Sequence, residues 1–289
     1  MKRLIAQVLS VQPLNAEMGL MQLRLPENAE KAQPGQFAHL SVPGDRAHLL
    51  RRPISIYSVQ GDVLHLGIAR KGEGTHKLLE AKPGDEVDLL YPLGNGFDKK
   101  THEHIAFVGG GIGVAPLRYT MENYAGAGCY GIFGYRNAEL LYAVEECRKT
   151  GAEVIVCTDD GSAGVHGLVT GPLEQLLQEK KVDCVMACGP TPMLRAVQKL
   201  ALEYGVEAQL SLEEHMGCGI GACLTCNCKV KVRMAKRAIS ASVRMVRCWM
   251  QRRSCSDENG RQPLRGRAEK PRHCRVGHLW LRSRIRQVL

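Results

Sequence analysis

The sequence predicts a β-barrel domain, then an α/β domain with a parallel sheet, then a small cysteine-rich module. Short alternating apolar runs between residues 4 and 90, separated by clusters of Pro, Gly and Asp, are typical of barrel strands. From about residue 99 apolar strands alternate with helical segments, which favours a parallel sheet with helices on both faces. Four cysteines then fall within residues 218–228. The predicted boundaries are 1–98, 99–208 and 209–231, followed by a tail, 232–289, that we expect to be disordered and to form no native domain.

The predicted barrel strands are five short segments with apolar residues at alternate positions. Turns containing proline and glycine, such as Pro34-Gly35 and Lys82–Asp85, precede strands because proline and glycine supply the backbone angles of tight turns. The strands are Gln7–Val11, Met21–Leu25, Phe37–Val42, Ile54–Val59 and Val63–Ile68.

The predicted α/β domain alternates buried strands with amphipathic helices. In a parallel sheet of this kind, ligands bind beyond the carboxyl ends of the strands, so motifs at those positions are candidates for a binding site. The strands are Ile105–Val108, Cys129–Gly134, Val154–Cys157 and Cys184–Cys188, and the helices are Ala115–Tyr124, Ala138–Thr150, Leu173–Lys180 and Pro192–Tyr204.

The formal net charge of +10 would ordinarily indicate a nucleic-acid partner. However, residues 233–289 contain 16 Lys and Arg against 3 Asp and Glu, which leaves 23 and 26 for residues 1–232. The basic character belongs to the tail alone, so we expect no nucleic-acid partner. No apolar run of about 18 residues occurs, and the first residues lack a small-residue cleavage site. The sequence therefore predicts a soluble cytoplasmic protein with no membrane partner.

The cysteines form two groups. Five stand singly in apolar text, where reduced core residues are the expected state: Cys129, Cys147, Cys157, Cys184 and Cys188. The crowded group in residues 218–228 indicates a metal site instead.

Two motifs of the barrel predict a flavin site. Arg52-Pro53-Ile54-Ser55 resembles the flavin-binding motif of the ferredoxin-reductase superfamily, in which the arginine can neutralise the FAD pyrophosphate and the serine can reach the isoalloxazine edge. By itself the pattern also fits an ordinary strand edge. Gly72-Glu73-Gly74-Thr75, twenty residues later, supplies a glycine turn that begins a helix, where backbone amides can bind the same phosphates.

Two motifs of the α/β domain predict a dinucleotide site. Gly109-Gly110-Gly111-Ile112-Gly113 follows a strand and opens a helix, and its glycines permit a close approach of the backbone to a pyrophosphate. It differs from the usual G-x-G-x-x-G fingerprint and resembles the variant of ferredoxin-reductase-like domains. Cys188-Gly189-Pro190 ends a later strand and resembles the C-G-P motif that lies beside the nicotinamide in that superfamily. A tight turn without a ligand is the alternative.

The spacing Cys218-x4-Cys223-x2-Cys226 is that of a plant-type [2Fe–2S] site, in which a fourth cysteine is expected downstream. Zinc is the competing interpretation. Glycines at 217, 219 and 221 leave backbone amides free to point at bridging sulfides, which favours the cluster. Cys228 is interpreted as a neighbour because the single residue after Cys226 gives it poor reach.

In this order, the motifs resemble those of the electron-transfer subunits of dihydroorotate dehydrogenase B from the first residues through about residue 230. The resemblance implies three cofactors, namely FAD, [2Fe–2S] and NAD. It also implies a partner, the FMN-containing catalytic subunit, in a heterotetramer of two plus two subunits that serves pyrimidine biosynthesis. The residues implied for FAD are Arg52, Pro53, Ile54, Ser55, Ile68, Ala69, Arg70, Gly74 and Thr75; those for NAD are Gly109, Gly110, Gly111, Gly113, Cys188, Gly189 and Pro190; those for the cluster are Cys218, Cys223 and Cys226.

The resemblance implies a route of electrons from the partner's FMN through [2Fe–2S] to FAD and then, as hydride, to NAD⁺. No general acid or base for dihydroorotate is identified in this chain, because that chemistry belongs to the partner. NAD in preference to NADP comes from the resemblance alone; Arg136 could contact an adenosine phosphate or could be an ordinary exposed arginine. The alternative function is that of a small subunit of a sulfide dehydrogenase or of an NADH-dependent ferredoxin:NADP oxidoreductase.

This sequence departs from the family pattern in two places. Tyr91 stands where the linker G-P-L-G-x-G-F has its first glycine, and the segment Tyr-x-Arg-Val-Cys-x-Asp-Gly-Pro that carries the fourth cysteine is absent. Codons can be chosen for Ile239–Arg247 so that a frame starting one base earlier spells Y-Q-R-V-C-A-D-G-P. Further downstream, a third frame can spell a start that resembles a dihydroorotate dehydrogenase catalytic subunit. We therefore predict a single-base frameshift near Lys231–Val232; a native basic tail is the alternative.

Overall fold

The computed structural model describes residues 1–44, 49–232, 235–241 and 246–248. Its first domain is a closed, wholly antiparallel barrel with strand order β1-β2-β5-β4-β3-β6, in which β6 pairs with β1 to complete the ring. The elements are β1 (Lys2–Pro13), β2 (Met18–Arg24), β3 (Phe37–Leu40), β4 (Arg52–Gln60), β5 (Val63–Ala69), helix α1 (Glu73–Leu79) and β6 (Glu86–Leu93).

The barrel forms because alternate strand residues are apolar and point inward. In β1 the buried residues Leu4, Ala6 and Val8 alternate with exposed ones, as expected for a strand with one face in a core. Leu23 and Leu66, on paired strands, are completely buried, and each such side chain stabilises the fold by about 1.5–3 kcal/mol. The predicted barrel and its five strands are confirmed, with ends that differ by a few residues.

The second domain is built on a seven-stranded sheet in the order β10-β9-β8-β7-β11-β12-β15, parallel except that β15 runs antiparallel to β12. A separate two-stranded antiparallel sheet pairs β13 with β14. The elements are β7 (Ile105–Gly110), α2 (Val114–Tyr124), β8 (Tyr130–Tyr135), α3 (Val144–Arg148), β9 (Glu153–Thr158), β10 (Val165–His166), α4 (Thr170–Gln178), β11 (Cys184–Cys188), α5 (Thr191–Tyr204), β12 (Glu207–Ser211), β13 (Asn227–Val232), β14 (Ala235–Ala241) and β15 (Val246–Cys248).

The prediction of a parallel sheet with helices is confirmed, but the prediction of one of the helices is wrong. The segment predicted as a helix over Ala138–Thr150 has a single 3₁₀ turn, an extended stretch and then only the five residues of α3. Ala143 has a left-handed backbone, with φ of +62°. This break directs the hydroxyl of Tyr142 to donate to the carbonyl of Gly111 at 2.8 Å, a tertiary bond that helical propensity could not predict.

The sheet of the α/β domain extends beyond residue 208, the predicted end of that domain. The sheet continues through Ser211, so the predicted boundary at 208 lies inside β12. Within the expected tail, the structure describes the backbone of 235–241 and 246–248 as strands, and residues 249–289 lie outside the described residues. The five singly placed cysteines are buried and free, which confirms the prediction that they are reduced core residues. No helix in the described part of the chain is long and apolar enough to cross a membrane.

The barrel and the α/β domain share a core and several polar contacts. Met18 and Tyr57 of the barrel pack in the same apolar cluster as Phe107 of β7. Gln209 accepts a bond from the Asp98 amide at 2.9 Å and donates to the Asp98 carbonyl at 2.7 Å, so the linker between the domains is fastened to β12. These contacts fix the relative position of the motifs carried by the two domains.

Candidate functional site: two adjoining cavities and a cysteine loop

A cavity of about 240 Å³, here called the central cavity, lies between the barrel and the α/β domain. Strand β4 contributes Pro53, Ile54 and Ser55, and the end of β11 contributes Cys188. Two motifs that are far apart in the sequence therefore line one cavity. Ala69 and Thr75 complete the predicted part of its wall, and Ile112 and Pro116 line it as well.

The central cavity also has a wall that sequence reasoning missed. The segment that directly follows β12 lines it, and Lys71 of the barrel faces that segment, with its Nζ 3.4 Å from a carboxylate oxygen of Glu213. No motif marks these residues; the usable signal is their position at the carboxyl end of a sheet strand, immediately before the cysteines. The missed residues are Lys71, Ser211, Leu212, Glu213, Glu214 and Met216.

The two barrel motifs contact each other through Arg52 and Gly74. A Cβ added at Gly74 would lie 2.4–2.7 Å from the Arg52 guanidinium, so only glycine allows the guanidinium to pack there. That guanidinium also donates to the carbonyl of Leu50. The Thr75 hydroxyl accepts from the amides of Lys71 and Gly72, at 3.1 Å each. Arg52, Ile68 and Gly74 do not line the central cavity, whereas Ser55 and Thr75 do.

A second cavity of about 540 Å³, here called the strand-end cavity, lies beyond the carboxyl ends of β7, β8, β9 and β11. Gly110 and Gly111 line it after β7, Arg136 after β8, Asp159 after β9 and Pro190 after β11. This is the position at which an open parallel sheet binds a ligand. Arg70 lines the cavity from the barrel side.

The glycines of the G-G-G-I-G motif divide into two roles. A Cβ at Gly113 would lie 2.1 Å from the carbonyl oxygen of Cys188, and one at Gly109 would lie 2.8 Å from Val114, so these two glycines permit close packing within the protein. Gly111 has φ of +53°, lines the strand-end cavity and has no atom within 4 Å of an added Cβ. Backbone exposed in this way is available to a ligand. Gly109, Gly113 and Gly189 line neither cavity.

The two cavities adjoin, because Ala69, Lys71 and Ile112 line both. The C-G-P motif spans the junction: Cys188 lines the central cavity and Pro190 the strand-end cavity. Burial raises the pKa of the Cys188 thiol to about 12, so this cysteine is a neutral thiol at physiological pH. A neutral thiol shapes the junction and is not a nucleophile.

The cysteine loop brings Cys218 and Cys223 together. The amide of Cys223 donates to the Cys218 sulfur at 3.4 Å, and the Thr225 hydroxyl donates to the Cys223 sulfur at 3.2 Å. The Thr225 hydroxyl, and then the Thr225 amide and Cys218, lower the pKa of Cys223 to about 6. Cys223 is therefore mainly the thiolate at neutral pH, the form that ligates metals.

Cys226 is buried and does not join the other two sulfurs. Across the described residues, no three His, Cys, Asp or Glu side chains converge closely enough to hold a metal ion. The structure thus assembles two of the three predicted cluster ligands. The fourth cysteine ligand is expected downstream of residue 231, where the structure describes no side chains.

The loop rests on the barrel at His39. A Cβ added at Gly219, whose φ is +72°, would lie 2.6 Å from the His39 Nδ1, so the loop backbone passes directly over the imidazole. His39 is completely buried, and neither ring nitrogen has a hydrogen-bond partner. Burial lowers the pKa of His39 to about 4, which keeps the ring neutral. Because His39 pairs with Pro53 in the β3–β4 register, the loop sits beside the strand of the R-P-I-S motif.

Comparisons with known proteins match both halves of this arrangement. Residues 107–199 match the family described as oxidoreductase NAD-binding domain. Residues 213–239 match the family described as iron-sulfur cluster binding domain of dihydroorotate dehydrogenase B. The matched ranges contain the strand-end motifs and the cysteine loop respectively.

One curated relative is the dihydroorotate dehydrogenase B (NAD(+)) electron transfer subunit of Caldanaerobacter subterraneus subsp. tengcongensis. It is 38% identical over 226 residues, which cover 78% of this chain and 88% of the relative. Among solved structures, that of an NADH-dependent reduced ferredoxin-NADP oxidoreductase is similar with TM-score 0.73 and 26% identity, over 84% of this chain and 87% of that one. The FAD/NAD-binding domain of a nitric oxide dioxygenase from Vibrio cholerae has TM-score 0.60 and 19% identity, over 72% and 98%.

The barrel, the parallel sheet and the two adjoining cavities define an oxidoreductase with the ferredoxin-reductase-like fold. More narrowly, the identity and coverage place this chain in the family of dihydroorotate dehydrogenase B (NAD(+)) electron transfer subunits, to which it belongs.

Proposed function

We propose that this chain is the electron-transfer subunit of an NAD-dependent dihydroorotate dehydrogenase of pyrimidine biosynthesis. In this role it receives electrons from the FMN of a catalytic subunit and delivers them to NAD⁺ by way of [2Fe–2S] and FAD. The observation that carries the proposal is the continuity of three sites: the strand-end cavity adjoins the central cavity, and the central cavity is lined by the segment that leads directly into the cysteine loop. We place the protein in the cytoplasm, where this biosynthesis occurs.

The residues around the central cavity fit FAD. Ser55 provides a hydroxyl, Lys71 provides an ammonium group that is paired with Glu213, and Phe37, Ile54 and Pro116 provide apolar surface for a ring system. Arg52, packed on Gly74, supplies the planar cation that binds phosphate oxygens in a bidentate manner. Bound here, FAD would supply hydride exchange with a nicotinamide and one-electron exchange with an iron–sulfur cluster.

The residues around the strand-end cavity fit NAD. Gly111 presents open backbone in the turn before α2, where the amides of a helix N-terminus favour a pyrophosphate, and Gly110 lines the cavity beside Pro190 and Met193. The nicotinamide end then belongs at the junction beside Cys188, and the adenosine end belongs beyond β8 and β9. Cys188 contributes a buried, neutral thiol to this junction.

The cysteine loop fits a [2Fe–2S] cluster in spacing and in charge. The thiolate character of Cys223 and the amide donated to Cys218 are the features that thiolate ligation requires. The buried His39 beneath Gly219 places the loop beside the R-P-I-S strand. A cluster held there would connect a partner bound to the loop with the central cavity.

Exposed apolar side chains near the loop support a protein partner. Ile220 and Leu224 are 51% and 54% exposed, and Leu49 and Leu50 are 89% and 60% exposed. The two pairs belong to segments that meet at His39, since Arg51 donates to the His39 carbonyl and Gly219 lies over the ring. Apolar residues of this size concentrated at one surface mark interaction sites. We assign this surface to the FMN-containing catalytic subunit, in a complex of two plus two subunits.

The second candidate is the small subunit of an NADH-dependent ferredoxin:NADP oxidoreductase or of a sulfide dehydrogenase. The fold similarity over 84% of the chain favours it. The higher identity of 38% to the dihydroorotate dehydrogenase B relative favours the leading proposal. Reduction of NAD⁺ with dihydroorotate and the matching catalytic subunit, measured with a chain whose fourth cluster ligand is restored, separates the two, because the second candidate predicts none.

We further propose that a frameshift near Lys231–Val232 removed the fourth cluster ligand from this chain. The cluster-domain match ends at residue 239, and the alignment leaves 12% of the Caldanaerobacter relative unmatched. The segment Y-Q-R-V-C-A-D-G-P, which a shifted frame can spell under Ile239–Arg247 with suitable codons, would restore that ligand. Sequencing of the gene across codons 228–260 tests the shift directly.

The functional test compares the chain as written with the frame-corrected chain. We expect the corrected chain to reconstitute a [2Fe–2S] centre, visible by EPR after reduction, and to support NAD⁺ reduction by dihydroorotate with the catalytic subunit. The chain as written should give less than about a tenth of that EPR signal, because four thiolates are normally required.

A corrected chain in which the restored cysteine is replaced by serine serves as the matched control and should behave like the chain as written. Equal cluster content and equal activity in all three forms would contradict the frameshift. A full cluster without any dihydroorotate-dependent activity would contradict the proposed partner instead.

A further inference from the structure

The adenosine end of the strand-end cavity carries an ion pair that joins the two domains. Arg136 follows β8, and its guanidinium is bonded to the carboxylate of Glu17, which lies in the turn between β1 and β2 of the barrel. Both residues line the cavity. Sequence reasoning named Arg136 as a possible phosphate contact but gave Glu17 no role.

The Glu17 turn is held in place by its own hydrogen bonds. The Glu17 amide donates to the Asn15 side chain at 2.9 Å, and the Glu17 carbonyl accepts from the Arg70 amide at 2.8 Å. Asn15 in turn donates to the carbonyl of Leu140 in the α/β domain at 2.8 Å. The carboxylate is therefore presented to Arg136 by a turn that is fastened to both domains.

A second carboxylate lies at the same end of the cavity. Asp159 follows β9, and its amide donates to the carbonyl of Tyr135 at 3.1 Å, which places it next to Arg136 across the β8–β9 pair. The strand order puts β9 and β8 on the side of β7 away from β11 and Cys188. If the pyrophosphate lies at Gly110–Gly111, the adenosine ribose must lie among Arg136, Asp159 and Glu17.

We infer that Glu17 is a specificity-determining residue that makes this cavity select NAD(H) over NADP(H). A 2′-phosphate brings a charge of about −1.5 to −2 at neutral pH, and here it would meet two carboxylates and an arginine that is already paired with one of them. A ribose 2′-hydroxyl is neutral and donates a hydrogen bond to a carboxylate, which is the usual device of NAD sites. The inference rests on the proposed placement of the dinucleotide in this cavity.

The test measures the dissociation constants of NADH and NADPH for the FAD-loaded chain as wild type, as Glu17→Gln, and as Glu17→Gln combined with Arg136→Gln. We expect Glu17→Gln to shift the NADPH:NADH affinity ratio towards NADPH by about three- to tenfold, because it frees Arg136 for the 2′-phosphate. The Glu17→Gln/Arg136→Gln variant should lose that gain. Glu86→Gln, which changes an exposed carboxylate of β6 outside both cavities, is the matched control and should leave the ratio unchanged.

Three outcomes oppose the inference. If Glu17→Gln leaves the ratio at the wild-type value, or changes both affinities in parallel, Glu17 does not determine specificity. If the gain persists in the double variant, Arg136 is not the group that Glu17 neutralises. If the wild-type chain binds neither dinucleotide, the proposed NAD site itself is wrong and the inference fails with it.

Discussion

The barrel motif contains two residues, Ser55 and Arg52, that lie at different positions relative to the proposed flavin site. Ser55 lines the central cavity, whereas Arg52 lies outside its wall and packs on Gly74. The motif predicted both residues from their types, because a guanidinium suits phosphate and a hydroxyl suits a ring edge. It could not predict the contact between Arg52 and Gly74, which depends on how α1 begins relative to β4.

Arg52→Ala should weaken FAD retention by about 1.5–3 kcal/mol, the usual worth of a hydrogen bond to a charged group. The measurement is a titration of apoprotein with FAD, followed by flavin fluorescence. Arg3→Ala is the matched control, because Arg3 is an exposed arginine of β1 that pairs with Asp88 and lines neither cavity. An FAD affinity that is the same in Arg52→Ala and Arg3→Ala would assign Arg52 to the surface.

At the scale of elements, the turn between β7 and α2 joins the two cavities. The turn packs so tightly on the end of β11 that Gly113 touches the Cys188 backbone. The sequence predicts this strand, this helix and the glycine turn between them. It attributes all of the glycines to a ligand, whereas Gly109 and Gly113 serve packing inside the protein. A run of glycines carries no signal that separates these two roles.

Gly113→Ala should lower the free energy of unfolding by about 1–3 kcal/mol, the usual cost of overpacking, because its Cβ would lie 2.1 Å from a carbonyl oxygen. Chemical denaturation monitored by circular dichroism measures the change. Gly126→Ala is the control, since nothing lies within 4 Å of a Cβ there and its φ is not in the left-handed region. If the two variants were equally stable, the close approach of β11 to the turn would be absent in solution.

The broken helix at Ala138–Thr150 shows where element prediction stops. The sequence there is apolar and helix-compatible, but Tyr142 must reach the carbonyl of Gly111, and Ala143 takes a left-handed backbone to allow it. Only the tertiary structure supplies the partner that outweighs helical propensity. The same limit hid Lys71 and the segment 211–216, which acquire a role only when the barrel meets the sheet.

For the whole molecule, alternation and motif order predicted both domains and placed each motif at the correct end of its strand. They could not show that Ser55 and Cys188 line one cavity, or that Glu17 crosses to Arg136, because both facts depend on how the domains pack. Prediction was therefore good within each domain and poor at their junction. The cysteine loop lies between these extremes, since the spacing predicted Cys218 and Cys223 but the structure does not bring Cys226 to them.

The barrel strands lie within residues 2–93 and the parallel strands of the sheet within residues 105–211, and the described residues that line the two cavities all precede Cys218. The residues that line both cavities are therefore synthesised before the cysteine loop. A chain that lacks its last cluster ligand should thus not be inert: NADH could still reduce its FAD, and molecular oxygen would become the acceptor, converting NADH, a proton and O₂ to NAD⁺ and hydrogen peroxide. We expect aerobic peroxide formation by the FAD-loaded chain to exceed that of free FAD. A rate equal to that of free FAD would show that the two upstream domains do not form a working flavin site without the fourth cluster ligand. The expected, higher rate would show that a chain lacking this ligand produces hydrogen peroxide from NADH.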